Sequence, residues 1–176
     1  FTKFCVEFNK RQGKKIVLLS GTFDMVHVGH GRYLEKAKSL GDVLIVGIDE
    51  DKKVRERKGD DRPINPEDER LEMLYHIRHV DFICLKRSGQ PPKHLLRIVK
   101  PHVLVISKAT KTRTAEELKN LQQLCEEGGR VVELEPQATT STSAKIRKLV
   151  TNSVKPIEKK LRDVLLFVEQ LRGGSQ

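Results

Sequence analysis

The stretch Gly21-Thr22-Phe23-Asp24-Met25-Val26-His27-Val28-Gly29-His30 determines the fold expected for this chain. It follows a short apolar run at 16–19 and precedes the segment 33–41, whose apolar positions recur at helical spacing and end at a glycine. This pattern predicts a buried strand, a turn and a helix. Ligands bind at such junctions in open parallel sheets, because the first amides of a helix are unpaired and carry partial positive charge.

Two histidines, His27 and His30, lie at this predicted junction with Gly29 between them. Imidazole N–H groups can donate hydrogen bonds to phosphate oxygens, and a glycine leaves room for a phosphate to approach the backbone. Two histidines at this spacing are also compatible with a metal pair or with two solvent-facing side chains. The strand-turn-helix context favours phosphate binding.

The sequence GTFD followed by HxGH, together with Ser141-Thr142-Ser143 downstream, resembles a nucleotidyltransferase superfamily. This superfamily includes bacterial heptose-phosphate adenylyltransferases and the glycerol-phosphate and choline-phosphate cytidylyltransferases. The resemblance extends from about residue 15 to residue 150. It implies an enzyme that transfers a nucleotidyl group from a nucleoside triphosphate to a phosphorylated acceptor and releases pyrophosphate.

Further apolar runs at 42–48, 82–85, 103–106 and 130–135 alternate with segments of helical pattern. Strands separated by helices predict a Rossmann-like, doubly wound α/β fold, with a five-stranded, mostly parallel sheet flanked by helices and a C-terminal helix. We expect a lead-in at 1–14, a nucleotidyltransferase domain at 15–150 and an amphipathic C-terminal helix at 151–176. The polar segment 49–66 is expected to be a long loop.

The C-terminal helix is predicted over 155–172, with Pro156 near its start. It has an apolar stripe formed by Ile157, Leu161, Val164, Leu165, Val168 and Leu171. The stripe could pack on its own domain or on a second subunit. Packing on the same domain is the commoner outcome for an amphipathic helix, so a homo-oligomer is possible but not favoured.

The resemblance implies roles for several charged residues. A Lys-Gly pair occurs in related enzymes where the lysine reaches the triphosphate, which makes Lys58 the candidate and Lys53 the second choice. Arg70 and Arg78 match the family patterns Pro-x-x-x-Arg and Arg-x-Val-Asp, whose arginines help to hold the phosphates of nucleotide and acceptor in related enzymes. We expect both on one face of a helix that continues through residue 77. We assign Arg78 to catalysis and Arg70, with Asp24, to substrate binding. The alternative for the arginines is a solvent-facing side of an amphipathic helix.

Hydroxyl groups at Ser141, Thr142 and Ser143 precede another helical pattern. Hydroxyls and amides at a helix start can bind a phosphate together, although a single hydroxyl can simply cap the helix. We expect this cluster and the two imidazoles to converge on one triphosphate. Further contacts to the nucleotide are expected from Gly21, Thr22, Phe23 and Gly29.

The expected reaction is an in-line attack of an acceptor phosphate on the α-phosphorus, without a covalent enzyme intermediate. The protein supplies mainly positioning and charge stabilisation, through His27, His30, Lys58 and Arg78. The resemblance implies Mg²⁺ to screen the phosphates, and no residue is predicted as a metal ligand.

The sequence constrains the nucleobase of the triphosphate and the identity of the acceptor phosphate less strongly. Cytidylyltransferases usually carry Arg-Thr-Glu-Gly where this chain has the segment 136–139, Pro-Gln-Ala-Thr, and the segment 58–66 resembles the heptose-phosphate adenylyltransferases. Both features favour ATP and a sugar phosphate over CTP and a polyol or amino-alcohol phosphate. A Gly-Gly-Asp-Tyr-like element is replaced by Ser-Lys-Ala-Thr at 107–110, so another phosphorylated small molecule remains open as acceptor.

The amino-acid composition limits which other classes of protein this chain could belong to. Lys and Arg total 34 against 24 Asp and Glu, a formal net charge of +10 that invites a nucleic-acid-binding hypothesis. Aromatic residues make up 5% and tryptophan is absent, so a non-catalytic nucleotide- or nucleic-acid-binding module is the less favoured alternative. Three separated cysteines support neither a disulfide framework nor a zinc site. No apolar run approaches the roughly 20 residues that span a bilayer, and we expect a cytoplasmic protein.

Overall fold

A computed structural model describes residues 2–108, 113–137 and 142–173, without the side chains of 142, 143, 145 and 167–173. Within these residues the chain alternates helices and strands. In chain order they are α1 (Thr2–Arg11), β1 (Ile16–Gly21), α2 (Val28–Lys38), β2 (Val43–Asp49), α3 (Asp51–Lys58), α4 (Glu67–Tyr75), β3 (Phe82–Lys86), α5 (His94–Val99), β4 (Val103–Ser107), α6 (Ala115–Gln122), β5 (Arg130–Leu134) and α7 (Thr142–Gly173).

The five strands form one parallel sheet in the order β3-β2-β1-β4-β5. From β1 the chain builds outward to β2 and β3, then crosses back to place β4 on the other side of β1. The carboxyl ends of β1 and β4 therefore flank the point where the strand order reverses, which is where ligands bind in open α/β sheets. The fold predicted from the sequence is confirmed.

Both faces of the sheet are covered. In β1, Val17 and Leu19 join a core cluster with the helices α2 and α4, while Ile16 and Leu18 join a second cluster with α1 and α5 on the opposite face. Successive strand residues point to opposite faces, so a strand buried on both sides is apolar throughout. This explains the uninterrupted apolar runs in the sequence.

Two predicted elements differ in the structure. The segment expected to be a long loop contains α3, which has a single buried apolar residue, Val54, and so gives almost no hydrophobic periodicity. Its lysines, arginines and glutamate are good helix formers nonetheless. Helix α4 ends at Tyr75 instead of continuing through residue 77, so Arg78 is not on the same helix as Arg70.

Helix α7 is continuous from Thr142 to Gly173, with Pro156 inside it, so the two helices expected on either side of residue 155 are one. Residues 1–138 and 139–176 form two compact units. The boundary expected at residue 150 lies inside α7. Among the described residues, no helix is long and apolar enough to cross a bilayer.

Candidate nucleotide-binding site

The turn between β1 and α2 has an unusual backbone. Phe23 and Met25 adopt left-handed conformations, with φ of 53° and 50°. A Cβ atom on Gly21 would approach the Phe23 ring to 2.8 Å, so glycine lets the buried ring fold back over the end of β1. Non-glycine residues rarely adopt positive φ, and such strain concentrates at functional sites.

The two histidines form the N-terminal cap of α2. The Nδ1 atom of His27 accepts a hydrogen bond from the Gly29 amide at 3.1 Å, and Nδ1 of His30 accepts one from the His27 amide at 3.3 Å. The ring centroids lie 4.1 Å apart. Because each Nδ1 is an acceptor, the neutral rings carry their proton on Nε2, which is the nitrogen able to donate to a phosphate oxygen.

Asp24 is buried and joins the turn to the segment after α3. Its carboxylate accepts hydrogen bonds from the amides of Ile64 at 3.1 Å and Asn65 at 3.0 Å, and pairs with Arg62 at 2.6 Å. These contacts favour a positioning role for Asp24. The predicted contact with substrate is not seen in them and stays a prediction.

Arg70 is 1% exposed and bonded entirely to protein groups in the contacts described. Its guanidinium donates to the carbonyl oxygens of Thr22 at 2.7 Å, Asp49 at 2.8 Å and Asn65 at 3.1 Å, and to the Asp51 carboxylate at 2.7 Å. A guanidinium enclosed in this way does not present its donors to a substrate. The geometry replaces the predicted substrate contact of Arg70 with a positioning role.

Sequence reasoning missed a network around Asp49, the last residue of β2. The Arg57 Nη2 atom donates to Asp49 at 2.9 Å and to the Thr22 hydroxyl at 2.8 Å, and Lys86 donates to Asp49 at 2.8 Å. Interpreting 49–66 as a loop hid Arg57, because only a helix places it over the strand ends. Lys86 lies opposite Asp49 in the register of β2 and β3, a pairing that the sequence alone does not show.

Lys58 is the last residue of α3 and lies beside the same network. Partial burial of its ammonium group, together with the nearby Arg57 and Arg62 guanidiniums, lowers the pKa of Lys58 below its ordinary value. Excess positive charge of this kind is relieved when an anion binds. Lys53, five residues earlier, lies about 140° around the helix from Lys58 and so faces a different direction.

Arg78 is not brought together with the imidazoles. It is exposed in the turn before β3, and the neighbouring Asp81 accepts a hydrogen bond from the amide of Leu44, at the start of β2. Arg78 therefore lies at the amino-terminal edge of the sheet, whereas His27 and His30 lie at the carboxyl edge. Crossing a six-residue strand takes roughly 17 Å. The role predicted for Arg78 in catalysis is not supported by this placement.

The predicted hydroxyl cluster is only partly described. Ser141 lies outside the described residues, and for Thr142 and Ser143 only the backbone, at the start of α7, is described. Convergence of these hydroxyls with the imidazoles stays a prediction. Of the segments that distinguish ATP from CTP enzymes and one acceptor from another, residues 109, 110, 138 and 139 also lie outside the described residues.

A sequence model of the cytidylyltransferase-like family matches residues 18–165. Among curated proteins, a bifunctional protein HldE of Desulfatibacillum aliphaticivorans is 39% identical over 150 residues, which cover 85% of this chain and 30% of the relative. A bifunctional protein HldE of Nitratiruptor sp. is 48% identical over 95 residues, 54% of this chain and 20% of the relative. The chain spans less than a third of the length of these relatives.

Two solved structures share the architecture. The lipopolysaccharide core biosynthesis protein from Thermoplasma volcanium superimposes with a TM-score of 0.57 at 30% identity, covering 70% of this chain and 97% of the other. The pantoate-beta-alanine ligase from Francisella tularensis has a TM-score of 0.51 at 18% identity, covering 81% of this chain and 67% of the other. The second likeness concerns the fold alone.

Proposed function

The chain belongs to the cytidylyltransferase-like family and is a nucleotidyltransferase, and from this premise we propose that it moves AMP from ATP to a sugar phosphate or a similar phosphorylated small molecule, releasing pyrophosphate. The observation that carries the proposal is the capped pair of imidazoles at the β1–α2 junction. Both rings are held by backbone amides through Nδ1, which assigns each proton to Nε2.

In the proposed reaction an oxygen of the acceptor phosphate attacks the α-phosphorus of ATP, and the bond to the bridging oxygen of the leaving pyrophosphate breaks. Negative charge grows on that bridging oxygen. The Nε2–H groups of His27 and His30 would donate to the phosphate oxygens and stabilise this charge. Donors fixed in advance need little reorganisation in the transition state, which is why they accelerate such reactions.

Positive charge beside the imidazoles would come from Lys58. Burial, and after it the neighbouring Arg57 and Arg62 guanidiniums, lower the pKa of Lys58, so a polyanionic ligand bound beside it would stabilise the ammonium group. Arg57 also reaches this edge of the sheet through the Thr22 hydroxyl and is a further candidate for phosphate contact. Neither residue would form or break a covalent bond.

A Mg²⁺ ion is expected to accompany the triphosphate and to screen its charge. Within the part of the chain that the structure describes, no group of three histidine, cysteine or acidic side chains could hold a metal ion. The carboxylates nearest the site, Asp24 and Asp49, are paired with cationic side chains. We therefore propose that the ion is held by phosphate oxygens and water, as is common for Mg²⁺.

ATP and a sugar phosphate are favoured because the segment 58–66 resembles the heptose-phosphate adenylyltransferases. The relatives named HldE and the structure named for lipopolysaccharide core biosynthesis are consistent with sugar chemistry. CTP with a polyol or amino-alcohol phosphate is the alternative within the same family, which carries the cytidylyltransferase name.

The test measures pyrophosphate release with ATP, CTP, GTP and UTP, each combined with a panel of sugar phosphates and polyol phosphates. Turnover with ATP and one sugar phosphate supports the proposal, and product mass identifies the transferred group. Turnover with CTP alone would select the alternative. Salt-sensitive oligonucleotide binding without turnover under any condition would contradict both and favour a binding module.

A further inference from the structure

Helix α7 carries a row of large apolar side chains that are exposed. Every described side chain from residue 147 to residue 166 is exposed. Eight of them are large and apolar: Leu149, Val150, Val154, Ile157, Leu161, Val164, Leu165 and Leu166. The proposed reaction assigns no task to this surface. Contiguous apolar surface of this kind normally marks a site of interaction.

The spacing of the row identifies the type of partner. Val150, Val154, Ile157, Leu161 and Val164 are separated by four, three, four and three residues, and the sequence continues the alternation at 168 and 171. Three successive heptads therefore have apolar residues at both seam positions, called a and d, with residues 154, 161 and 168 at a. This period of 3.5 residues keeps a seam facing a second helix with the same repeat, in a left-handed coiled coil.

The charges of α7 are arranged so that the helix can meet a copy of itself. Four of its basic side chains, Lys148, Lys155, Lys159 and Arg162, occupy heptad positions b or f, which point away from the a/d seam. The fifth basic side chain between residues 148 and 166, Lys160, lies at position g beside the seam, so most of the positive charge in this segment points away from a homotypic interface. A helix that lies on a membrane has a broad apolar face with the helical period of 3.6. On α7 the five seam residues keep the 3.5-residue period, and three further exposed apolar side chains, Leu149, Leu165 and Leu166, lie outside the seam.

Pro156 increases the need of α7 for a packing partner. It lies inside the helix, where proline removes one backbone hydrogen bond and crowds the preceding turn. Exposed helices owe most of their stability to packing of an apolar face, and one interrupted by proline has little stability of its own. Pro156 falls at heptad position c, outside the seam, so it does not interrupt the contact surface.

We propose that α7 forms a homotypic coiled coil with the α7 helix of a second copy of this chain. The interface consists of the described seam residues from Val150 to Val164. The chain then acts as an oligomer held together through its C-terminal helix. This inference does not depend on which nucleotide or acceptor the enzyme uses.

The test compares two leucine-to-aspartate variants of the full chain. Leu161 is a seam residue with 61% exposure, and Leu166, with 52% exposure, lies at position f on the outer side. Sedimentation velocity and light scattering over a wide concentration range should show an oligomer for the wild type. Leu161→Asp should weaken self-association by about 100-fold or more, because each copy would bring one buried charge into the seam, whereas Leu166→Asp should match the wild type.

Several outcomes would overturn the proposal. One is a wild type that stays monomeric at all concentrations; another is an equal effect of both variants on association. A monomeric protein whose thermal stability falls only with Leu161→Asp would show packing of the seam on the same chain. Binding to phosphatidylserine vesicles without self-association would show a membrane surface. If Leu161→Asp does not fold, Leu161→Ala provides the same comparison, with circular dichroism confirming the helix.

Discussion

Two sets of charged and polar side chains meet at the carboxyl edge of the sheet, and they differ in burial. Asp24, Asp49 and Arg70 are buried and satisfied by protein groups. His27 and Lys58 are partly or largely exposed and lie at helix ends. Side chains of the first set connect the turn, α3 and α4. Those of the second set are placed where a ligand can reach them. The same edge of the sheet therefore carries both structural residues and candidate ligand-binding residues.

The physical reason for this separation is the cost of burying charge. A buried ion is tolerated only when its partners replace the water it has lost, and removing one partner leaves the other uncompensated. Mutation of the buried set should therefore lower stability. Mutation of the exposed set should lower the rate or the affinity, with little effect on folding.

Arg70→Met should have the largest effect. The substitution keeps much of the side-chain volume but removes donors to the carbonyls of Thr22, Asp49 and Asn65 and the partner of Asp51. We expect a loss of about 3–5 kcal/mol in the free energy of unfolding, measured by urea denaturation.

The matched control is Arg97→Met on α5, where the arginine is exposed. A surface substitution of this kind is expected to change stability by less than about 0.5 kcal/mol. If Arg70→Met unfolds at the same urea concentration as the control and loses only activity, Arg70 is a ligand-binding residue and not a structural one.

His30→Asn should have the next largest effect, and this effect should be on kcat instead of on stability. The asparagine side-chain oxygen can take over the role of Nδ1 as acceptor of the His27 amide, so the cap of α2 is retained while Nε2 is lost. Loss of a donor of this type typically lowers kcat by about 100- to 1,000-fold. Steady-state pyrophosphate release and a melting curve should show a slow enzyme with a near-normal melting temperature.

The control for His30 is His76→Asn, since His76 is an exposed histidine at the end of α4. It should leave kcat unchanged. An unimpaired rate in His30→Asn would remove the imidazole pair from the mechanism. A large fall in melting temperature would instead indicate that His30 has mainly a structural role.

Lys58→Gln should have a smaller effect and act on affinity. We expect KM for the nucleotide to rise by roughly tenfold, in the range reported for single charge-assisted contacts. The melting temperature at neutral pH should rise slightly, because burial and two guanidiniums already disfavour the ammonium in the folded protein. Lys52→Gln, an exposed lysine on the same helix, is the control for both measurements. A fall in melting temperature for Lys58→Gln would contradict this account.

The pH dependence follows from the same pKa. The pKa of Lys58 is lower in the folded than in the unfolded protein, so the destabilisation caused by its charge is fully present below the folded pKa and is lost as pH rises from the folded pKa to the unfolded one. The stability gained by Lys58→Gln should therefore shrink as pH rises through that range. Nucleotide affinity of the wild type should fall over the same range, and Lys58→Arg should abolish this fall, because arginine stays charged.

Much of the fold could be predicted because its signals are local. The apolar run of β1 and the helical pattern after it define the junction. At the start of α6, Thr114 and Glu117 form a capping box, which is likewise a local pattern of two residues three apart. The position of His27 and His30 followed from the same local pattern. Helix α3 could not be found, since only Val54 is buried and a helix with one buried residue has no periodicity to detect.

The roles of individual charges were harder to predict, because a sequence does not show which side of the sheet a charge reaches or how deeply it is buried. Arg57 and Lys86 act through Asp49, a contact made only when α3 and β3 are both in place. Arg70 matched a family pattern, yet its burial is set by carbonyl groups from three separate segments. Such contacts depend on tertiary structure and leave no trace in spacing.

Arg78→Ala should have the smallest effect. The family pattern assigned this arginine to catalysis, whereas the fold places it before β3, at the edge of the sheet opposite to the imidazoles. A charge separated from the imidazoles by the length of a strand, roughly 17 Å, is largely screened at physiological ionic strength, so kcat and KM should change by less than about twofold. Steady-state kinetics at low and high salt, compared with Lys58→Gln, provide the measurement. A loss as large as that of Lys58→Gln would mean that Arg78 contacts the substrate bound to a second copy of this chain. In that case Arg78→Ala should have no further effect in the Leu161→Asp variant, in which self-association is already lost.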